Sequence, residues 1–336
     1  MQAFGVVRWG DDVSKALTYR SQVIWEEARR RGIPMQQAFF FGLPTDIYRA
    51  TLRKKWIHFK SIPIPPNVSQ DAYVWIDDKF LLKRVLREAH VPVPESVSTA
   101  TRASARAAFE RIKIPVAVKP RAGSRGRHTT VNVCTIEDLE RAFKSARRLC
   151  RFVSIERYLE GSVCRATLVQ GKLVGFFQAD PPRVIGDGSS TLAELVAGQN
   201  AHKHERIGNI ALNAEHEAFL HRQGLTMNSV PEKGRIVPLS HRTGRLFGGE
   251  TRELLDTVHP TLRAHLERAA RVVVGAPVVG FDLIIKDPTA DPDAEEWGVI
   301  EANSLPFIDL HYLPLYGTPS NPAAAVWDMW NTSSSE

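Results

Sequence analysis

Two apolar runs near the end of the chain, Val278–Lys286 and Trp297–Asn303, each carry a carboxylate within them, Asp282 and Glu301. Their length and content read as strands, joined by an exposed acidic, proline-containing loop over Asp287–Glu296. A carboxylate in such surroundings is costly to bury unless something pairs with it. Alternation along a strand puts Glu301 and Asn303 on one face, and hairpin pairing lets Asp282 reach that face. Two carboxylates and an amide oxygen make a hard-oxygen set suited to Mg²⁺, which keeps open positions for water and phosphate oxygens. The plainer reading, polar positions on a half-exposed strand, is the weaker one because both acids interrupt apolar sequence.

The rest of the chain alternates strands and helices, which predicts a mixed α/β (α+β) fold. Residues 1–75 read as a small α/β unit: a strand over Ala3–Val7, a helix from Asp12 ending at Gly32, and a buried strand at Phe39–Phe41. Residues 76–155 read as a lid, opening with a helix from Asp77 that stops before Val91-Pro-Val-Pro. A strand over Ile114–Lys119, a glycine-containing loop, a strand over Thr129–Val133 and a helix capped by Thr135 follow. Residues 156–330 hold strands Val163–Val169 and Lys172–Phe177 around a Gln170-Gly171 turn. Helices starting at Thr191, Leu212 and about Leu262 precede the acid-bearing hairpin.

Several classes of protein are disfavoured. The chain of 336 residues is 43% hydrophobic, enough for a sizeable core. Its start lacks a basic segment followed by an apolar one, and its longest apolar run, Val272–Ile285, is short for a bilayer and contains Asp282. Cys134, Cys150 and Cys164 form no CxxC pair, which fits a reducing cytoplasm better than a disulfide framework. The net charge of +7 is spread along the chain. That pattern favours nucleotide phosphates and acidic substrates over nucleic acid.

Three further segments offer chemistry. Val118-Lys119-Pro-Arg-Ala-Gly123-Ser124-Arg-Gly126 ends a strand on a lysine and continues into a loop whose backbone N–H groups can approach phosphates. No GKS/T follows, so it is not a Walker loop, and a surface turn with flanking arginines fits equally well. Lys79 opposes the dipole at its helix start, which suits a bound phosphate or a solvated lysine beside Asp77 and Asp78. In Ser154-Ile-Glu156-Arg157-Tyr158-Leu159-Glu160-Gly161, an extended backbone can meet an adenine edge, with Glu156 accepting from its amino group; a plain strand with one exposed glutamate is the commoner case.

In order, these parts read DK…VPVP, VAVKP…GSRG, IERYLEG…R, VIGDG…T, GG…D…HP, GFDLII and IEANSLP…H…P…G. The pattern resembles the ATP-grasp superfamily, and within it the ATP-grasp portions of cyanophycin synthetase and of the fused glutamate–cysteine ligase–glutathione synthetase. It covers about Ile76 to Gly317. Pro181-Pro-Arg-Val-Ile-Gly-Asp-Gly188 and Gly248-Gly249…Asp256…His259-Pro260 are its most diagnostic stretches. The resemblance implies that Lys79 and Lys119 contact ATP phosphates, with Gly123, Ser124 and Gly126 closing over them. It implies adenine contacts from Glu156 and from the backbone of Arg157, Tyr158 and Leu159. Asp282, Glu301 and Asn303 would bind two Mg²⁺ ions, with Mn²⁺ a permissible substitute. Arg165 and Arg242 or Arg245 become candidates for stabilising the phosphoryl group or a substrate carboxylate, against surface charge or structural pairing.

Two departures stand out. Val163 occupies the place of the acid that usually meets the ribose hydroxyls, for which Glu160 is a substitute. Ala179 or Asp180 stands where an arginine commonly precedes the Pro-Pro pair. The implied reaction is ATP-dependent ligation of a small-molecule acid to an amine, amino acid or peptide, through an acyl phosphate. The competing readings are a phosphotransferase on the same fold and a non-catalytic ATP-binding partner protein. The resemblance is compatible with a homodimer and calls for neither nucleic acid nor membrane.

Overall fold

The computed structural model describes residues 7–65, 74–113, 115–122 and 128–332. Its first unit is an antiparallel sheet of β1 (Val7–Gly10), β2 (Met35–Phe40), β3 (Leu43–Leu52) and β4 (Lys55–Lys60), paired in that order. Helix α1 (Tyr19–Arg30) lies between the first two strands and is capped by Thr18, which accepts from Ser21 N. The expected strand–helix–strand start is present from Val7 onward; residues 3–6 of the expected first strand lie outside the described residues. Strands β3 and β4 are additions. Their hairpin turns on Arg53-Lys54, whose φ values are 50° and 64°, and such turns ordinarily carry Asn or Gly.

The second unit contains α2 (Lys79–Glu88), β5 (Ser96–Thr99), α3 (Arg102–Ile112), β6 (Val116–Pro120), β7 (Thr130–Val133), α4 (Ile136–Arg147) and β8 (Val153–Arg157). Its antiparallel sheet runs β5-β8-β6-β7. Phe109 and Phe143, from α3 and α4, share a core with Val116, Val118 and Ile155 of the sheet. Thr135 caps α4 as expected, accepting from Asp138 N. Helix α2 of this stretch packs its Leu82 and Leu86 into the core of the third unit.

That third unit is built on β9 (Ser162–Val169) and β10 (Lys172–Ala179), joined by Gln170-Gly171 with both residues at positive φ. A two-stranded ribbon, β11 (Arg183–Ile185) and β12 (Ile236–Pro238), holds α5 (Leu192–His202) and α6 (Ala214–His221) around a small core of its own. Thr191 and Glu194 cap α5 reciprocally. Then come β13 (Thr251–Glu253), α7 (Pro260–Val272), β14 (Val278–Ile285), β15 (Gly298–Asn303) and α8 (Pro322–Thr332). The main sheet is antiparallel in the order β13-β10-β9-β14-β15. Cys164, Ala166 and Leu168 of β9, with Val279, Phe281 and Leu283 of β14, turn toward α2 and α7. The alternate positions, Arg165 and Asp282 among them, therefore face the other side.

Farther along that other face, Val169 and Val278 share a core with Ile24 of α1 and Trp327 of α8. Trp327 Nε1 donates to Ile24 O at 2.9 Å. The first and last helices thus lock the N-terminal sheet onto the main sheet. No helix among the described residues is long and apolar enough to cross a membrane.

Candidate active site

Three adjacent strands bring Arg165, Asp282 and Glu301 into one row, since Asp282 is the register partner of both neighbours. Arg165 donates to Asp282 from Nε at 2.5 Å and from Nη2 at 2.9 Å. Lys79, in the first turn of α2, reaches Glu301 Oε2 at 2.9 Å. Asn303 Nδ2 lies 3.4 Å from Asp282 Oδ2. Gly280 leaves room for the arginine, because a Cβ there would sit 3.2 Å from Arg165 Cδ and 2.8 Å from Pro306 Cβ.

The row carries its charges as plus, minus, minus, plus. Burial pushes the Asp282 carboxyl up to about 6, Arg165 opposing and Glu301 adding to the rise. Burial also pushes Glu301 upward, but the Lys79 ammonium and a hydrogen bond from Asp282 outweigh it and hold Glu301 at about 2. Two carboxyl groups that share a hydrogen bond and oppose each other's charge are a donor set a divalent cation would relieve. Asp282, Glu301 and Asn303 therefore fit Mg²⁺ by chemistry. No cluster of three or more His, Cys, Asp and Glu side chains suited to a metal occurs among the described residues, so phosphate oxygens and water would complete the shell.

A second charged group gathers on the sheet of the second unit. Glu156 of β8 receives Lys83 Nζ at 2.5 Å and Lys119 Nζ at 2.8 Å, and Ser154 Oγ at 2.7 Å. Lys83 and Ser154 share Oε1, whereas Oε2 takes only Lys119, so one acceptor site on Oε2 is still open. Burial would raise Glu156, but the two ammonium groups hold it at about 2. Burial brings Lys83 down to about 7 against the pull of Glu156, with Lys119 and Lys79 adding to the fall. Sequence reading missed Lys83. Its spacing from Lys79, one turn along α2, was the available signal.

Two chambers lie along the sheet face. The smaller, about 580 Å³, is lined by Lys119, Glu156, Arg157, Tyr158 and Leu159. The larger, about 690 Å³, is lined by Arg165, Asp282, Arg206, Arg245 and Asp309 with apolar neighbours. Val163 and Thr243 line both. On the strands themselves, Val163 and Ile284 of the smaller chamber are two residues along from Arg165 and Asp282 of the larger, hence on the same face.

The other expected residues distribute as follows. Gly123, Ser124 and Gly126 lie outside the described residues. Arg157 pairs with Glu296 at 2.6 Å, and Tyr158 N donates to Pro115 O. Arg245 joins Arg165 in the larger chamber, whereas Arg242 turns to Glu215 at 3.0 Å and stays half-exposed. Glu160 borders the smaller chamber and pairs with Lys286 at 3.2 Å. Asp180, standing where an arginine was expected, is a buried acceptor for Ser162, Gln178, Arg183 and Arg252. Arg206 and Asp309 were not foreseen; the first lies in a turn and the second in a short 3₁₀ helix, Ile308–Tyr312, and neither segment gives a periodic cue.

Comparison with known proteins agrees with this architecture. No protein-family model matches the chain. It is 32% identical over 259 residues to cyanophycin synthetase of Trichormus variabilis, covering 75% of this chain and 29% of that protein. It is 31% identical over 275 residues to the glutathione biosynthesis bifunctional protein GshAB of Mannheimia succiniciproducens, covering 77% of this chain and 36% of that one. The chain thus spans about a third of the length of the curated relatives it matches. The crystal structure of a bifunctional glutathione synthetase from Pasteurella multocida superposes with a TM-score of 0.58 at 26% identity, covering 94% of this chain and 44% of that one. By its fold, the order of its motifs and these similarities, the chain belongs to the ATP-grasp superfamily.

Proposed function

We propose that this chain is an ATP-dependent carboxylate–amine ligase, forming an amide through an acyl phosphate and releasing ADP and phosphate. The observation that carries the reading is the Arg165–Asp282–Glu301–Lys79 row, set on a sheet face that runs beneath two adjoining chambers. One chamber suits a nucleotide and the other an acid. A row that compensates charge between them is where a phosphoryl group would pass from one to the other.

In this reading the nucleotide occupies the smaller chamber. Lys119 and Lys79 neutralise its phosphates, and Glu156 holds the Lys119 ammonium in place. The backbone of Arg157–Leu159 meets the adenine edge. Asp282, Glu301 and Asn303 would hold one or two Mg²⁺ ions, with Mn²⁺ as a substitute; bound there, the metal offsets charge on the γ-phosphoryl group. A carboxylate oxygen of the acid attacks the γ-phosphorus, and the bond from that phosphorus to ADP breaks. An amine nitrogen then attacks the acyl carbon. The bond from acyl carbon to phosphate oxygen breaks, and the proton lost by the amine leaves with inorganic phosphate. Arg165, with Arg245 facing the same chamber, stabilises the oxyanion of that second step.

The test is release of ADP and phosphate from MgATP in the presence of pooled amino acids and small acids, with mass spectrometry for an amide. The expected result is substrate-dependent release with an amide product, abolished in an Asp282→Ala/Glu301→Ala variant. A stable phosphorylated product without amide would transfer the reading to a phosphotransferase. Absence of ATP binding would overturn it altogether.

A further inference from the structure

The larger chamber contains an unmet demand for one kind of ligand. Arg165 Nη1 and Asp309 Oδ1 are buried and have no hydrogen-bond partner, and both residues line this chamber. Arg165 already commits Nε and Nη2 to Asp282, so Nη1 is the donor it has left. Asp309 forms no ion pair among the described residues, although the charges of Arg20, His311 and Arg165 lie within range. An unpartnered buried donor and an unpartnered buried acceptor each cost free energy until a ligand supplies the missing group. Nη1 calls for an anionic oxygen and Oδ1 for an N–H donor. One molecule that carries both a carboxylate and an ammonium group answers both.

Arg206 and Arg245 also reach this chamber, and much of the rest of its wall is apolar. Phe177 forms its buried part, while Tyr19, Leu246, Phe247, Leu310 and Leu313 stand around the opening. All five of these outer side chains are substantially exposed, Leu246 at 87%. Large apolar groups gathered at one concave site mark a place for an apolar ligand group. They come from three separate parts of the chain: the start of α1, the loop before β13 and the loop after β15.

We infer that the acid substrate is a free α-amino acid with a large apolar side chain, its carboxylate on Arg165 and its α-ammonium on Asp309. The inference rests on the ligase reading only for which of the two substrates this is; the binding claim stands by itself. With the carboxylate on Arg165 it lies beside Asp282, where activation by the γ-phosphoryl group takes place.

Calorimetry in the presence of Mg²⁺ and a non-hydrolysable ATP analogue tests this without turnover. L-leucine and L-phenylalanine are compared with N-acetyl-L-leucine, with 4-methylpentanoate, which is leucine without its amino group, and with L-aspartate. The expected result is binding of the two apolar amino acids at least about tenfold tighter than any of the other three. Asp309→Asn should weaken leucine by about ten- to hundred-fold and leave 4-methylpentanoate unchanged. Equal binding of the blocked or amino-less analogues, a preference for aspartate, or no binding of either apolar amino acid overturns the inference. ADP release assayed with the same five compounds separates it from the ligase reading. Apolar amino acids that bind but never drive release leave the inference standing and sink the ligase. Release driven only by aspartate or a blocked acid does the reverse.

Discussion

Arg165 and Asp282 face each other across β9 and β14, joined by hydrogen bonds of 2.5 and 2.9 Å, with Glu301 next in the same row. The pair is buried, so neither charge tolerates loss of the other. Arg165→Met should destabilise the fold by about 3 kcal/mol at pH 8. The penalty should shrink at pH 5. Burial already holds the Asp282 carboxyl at about 6, above its ordinary 3.8, and without the guanidinium it rises further. A group raised in the folded state contributes stability at low pH and loses it as pH climbs through its folded pKa. Urea denaturation of Arg165→Met and of Arg165→Met/Asp282→Leu at both pH values checks this. A double variant no more stable than the single one at pH 8 would contradict it.

Lys83 gives a second, oppositely placed pH dependence. The folded protein releases its proton near pH 7, while the unfolded chain keeps it to about 10.5. Between those values the unfolded state binds more protons, so stability should rise with pH, at up to about 1.4 kcal/mol per unit. Lys83→Met should remove the rise while leaving Lys119 on Glu156. Denaturation midpoints at pH 7.5 and 9 decide the matter. A parallel rise in both proteins would mean that Lys83 stays charged in the fold.

The Gly248-Gly249 pair has a steric reason to be glycine at its second member. A Cβ on Gly249 would overlap the Asp180 carbonyl oxygen, next to the bond from Asp180 N to Glu250 O of 2.9 Å. Backbone cannot swing aside as a flexible side chain can, so Gly249→Ala should cost about 1–3 kcal/mol. Gly198 is the counter-case: it lies within α5, and a Cβ there meets nothing within 4 Å. Gly198→Ala should therefore add about 0.5–1 kcal/mol through helix propensity alone. Thermal melts of the two variants should move in opposite directions.

What could be read in the sequence was whatever depends on nearby residues. Asp282, Glu301 and Asn303 could be placed on one face because a hairpin and strand alternation suffice. The Gln170-Gly171 turn and the caps at Thr135 and Thr191 are local in the same sense. Arg165 as the partner of Asp282 could not be read, since β9 and β14 pair across 117 residues and their register follows from the whole sheet. Lys83 was hidden for a related reason. On an amphipathic helix a lysine reads as solvent-facing, and only the docking of α2 beneath β8 buries it against Glu156. Residues 1–75 were the least legible. Their sheet depends on a turn without glycine at Arg53-Lys54 and on a helix supplied by the far end of the chain.

Arg242 and Arg245 were equal candidates by sequence, and the structure separates them. Arg242 makes an ion pair with Glu215 on the surface and rests over Phe247 at 5.4 Å. Arg245 lines the larger chamber, where burial and the nearby Arg206 charge pull its guanidinium below the usual arginine value. A cation held beside another cation in a partly closed chamber gains from an anionic ligand, whereas a surface ion pair is worth about 0–1 kcal/mol. Arg245→Ala should therefore raise KM for the acid substrate about tenfold or more, with stability within about 0.5 kcal/mol of the parent. Arg242→Ala should leave KM and kcat within about twofold. Steady-state kinetics on the active acid, alongside denaturation of both variants, makes the comparison. If Arg242→Ala were the more damaging to kcat, the loop before β13 would have to close over the row with Arg242 turned inward.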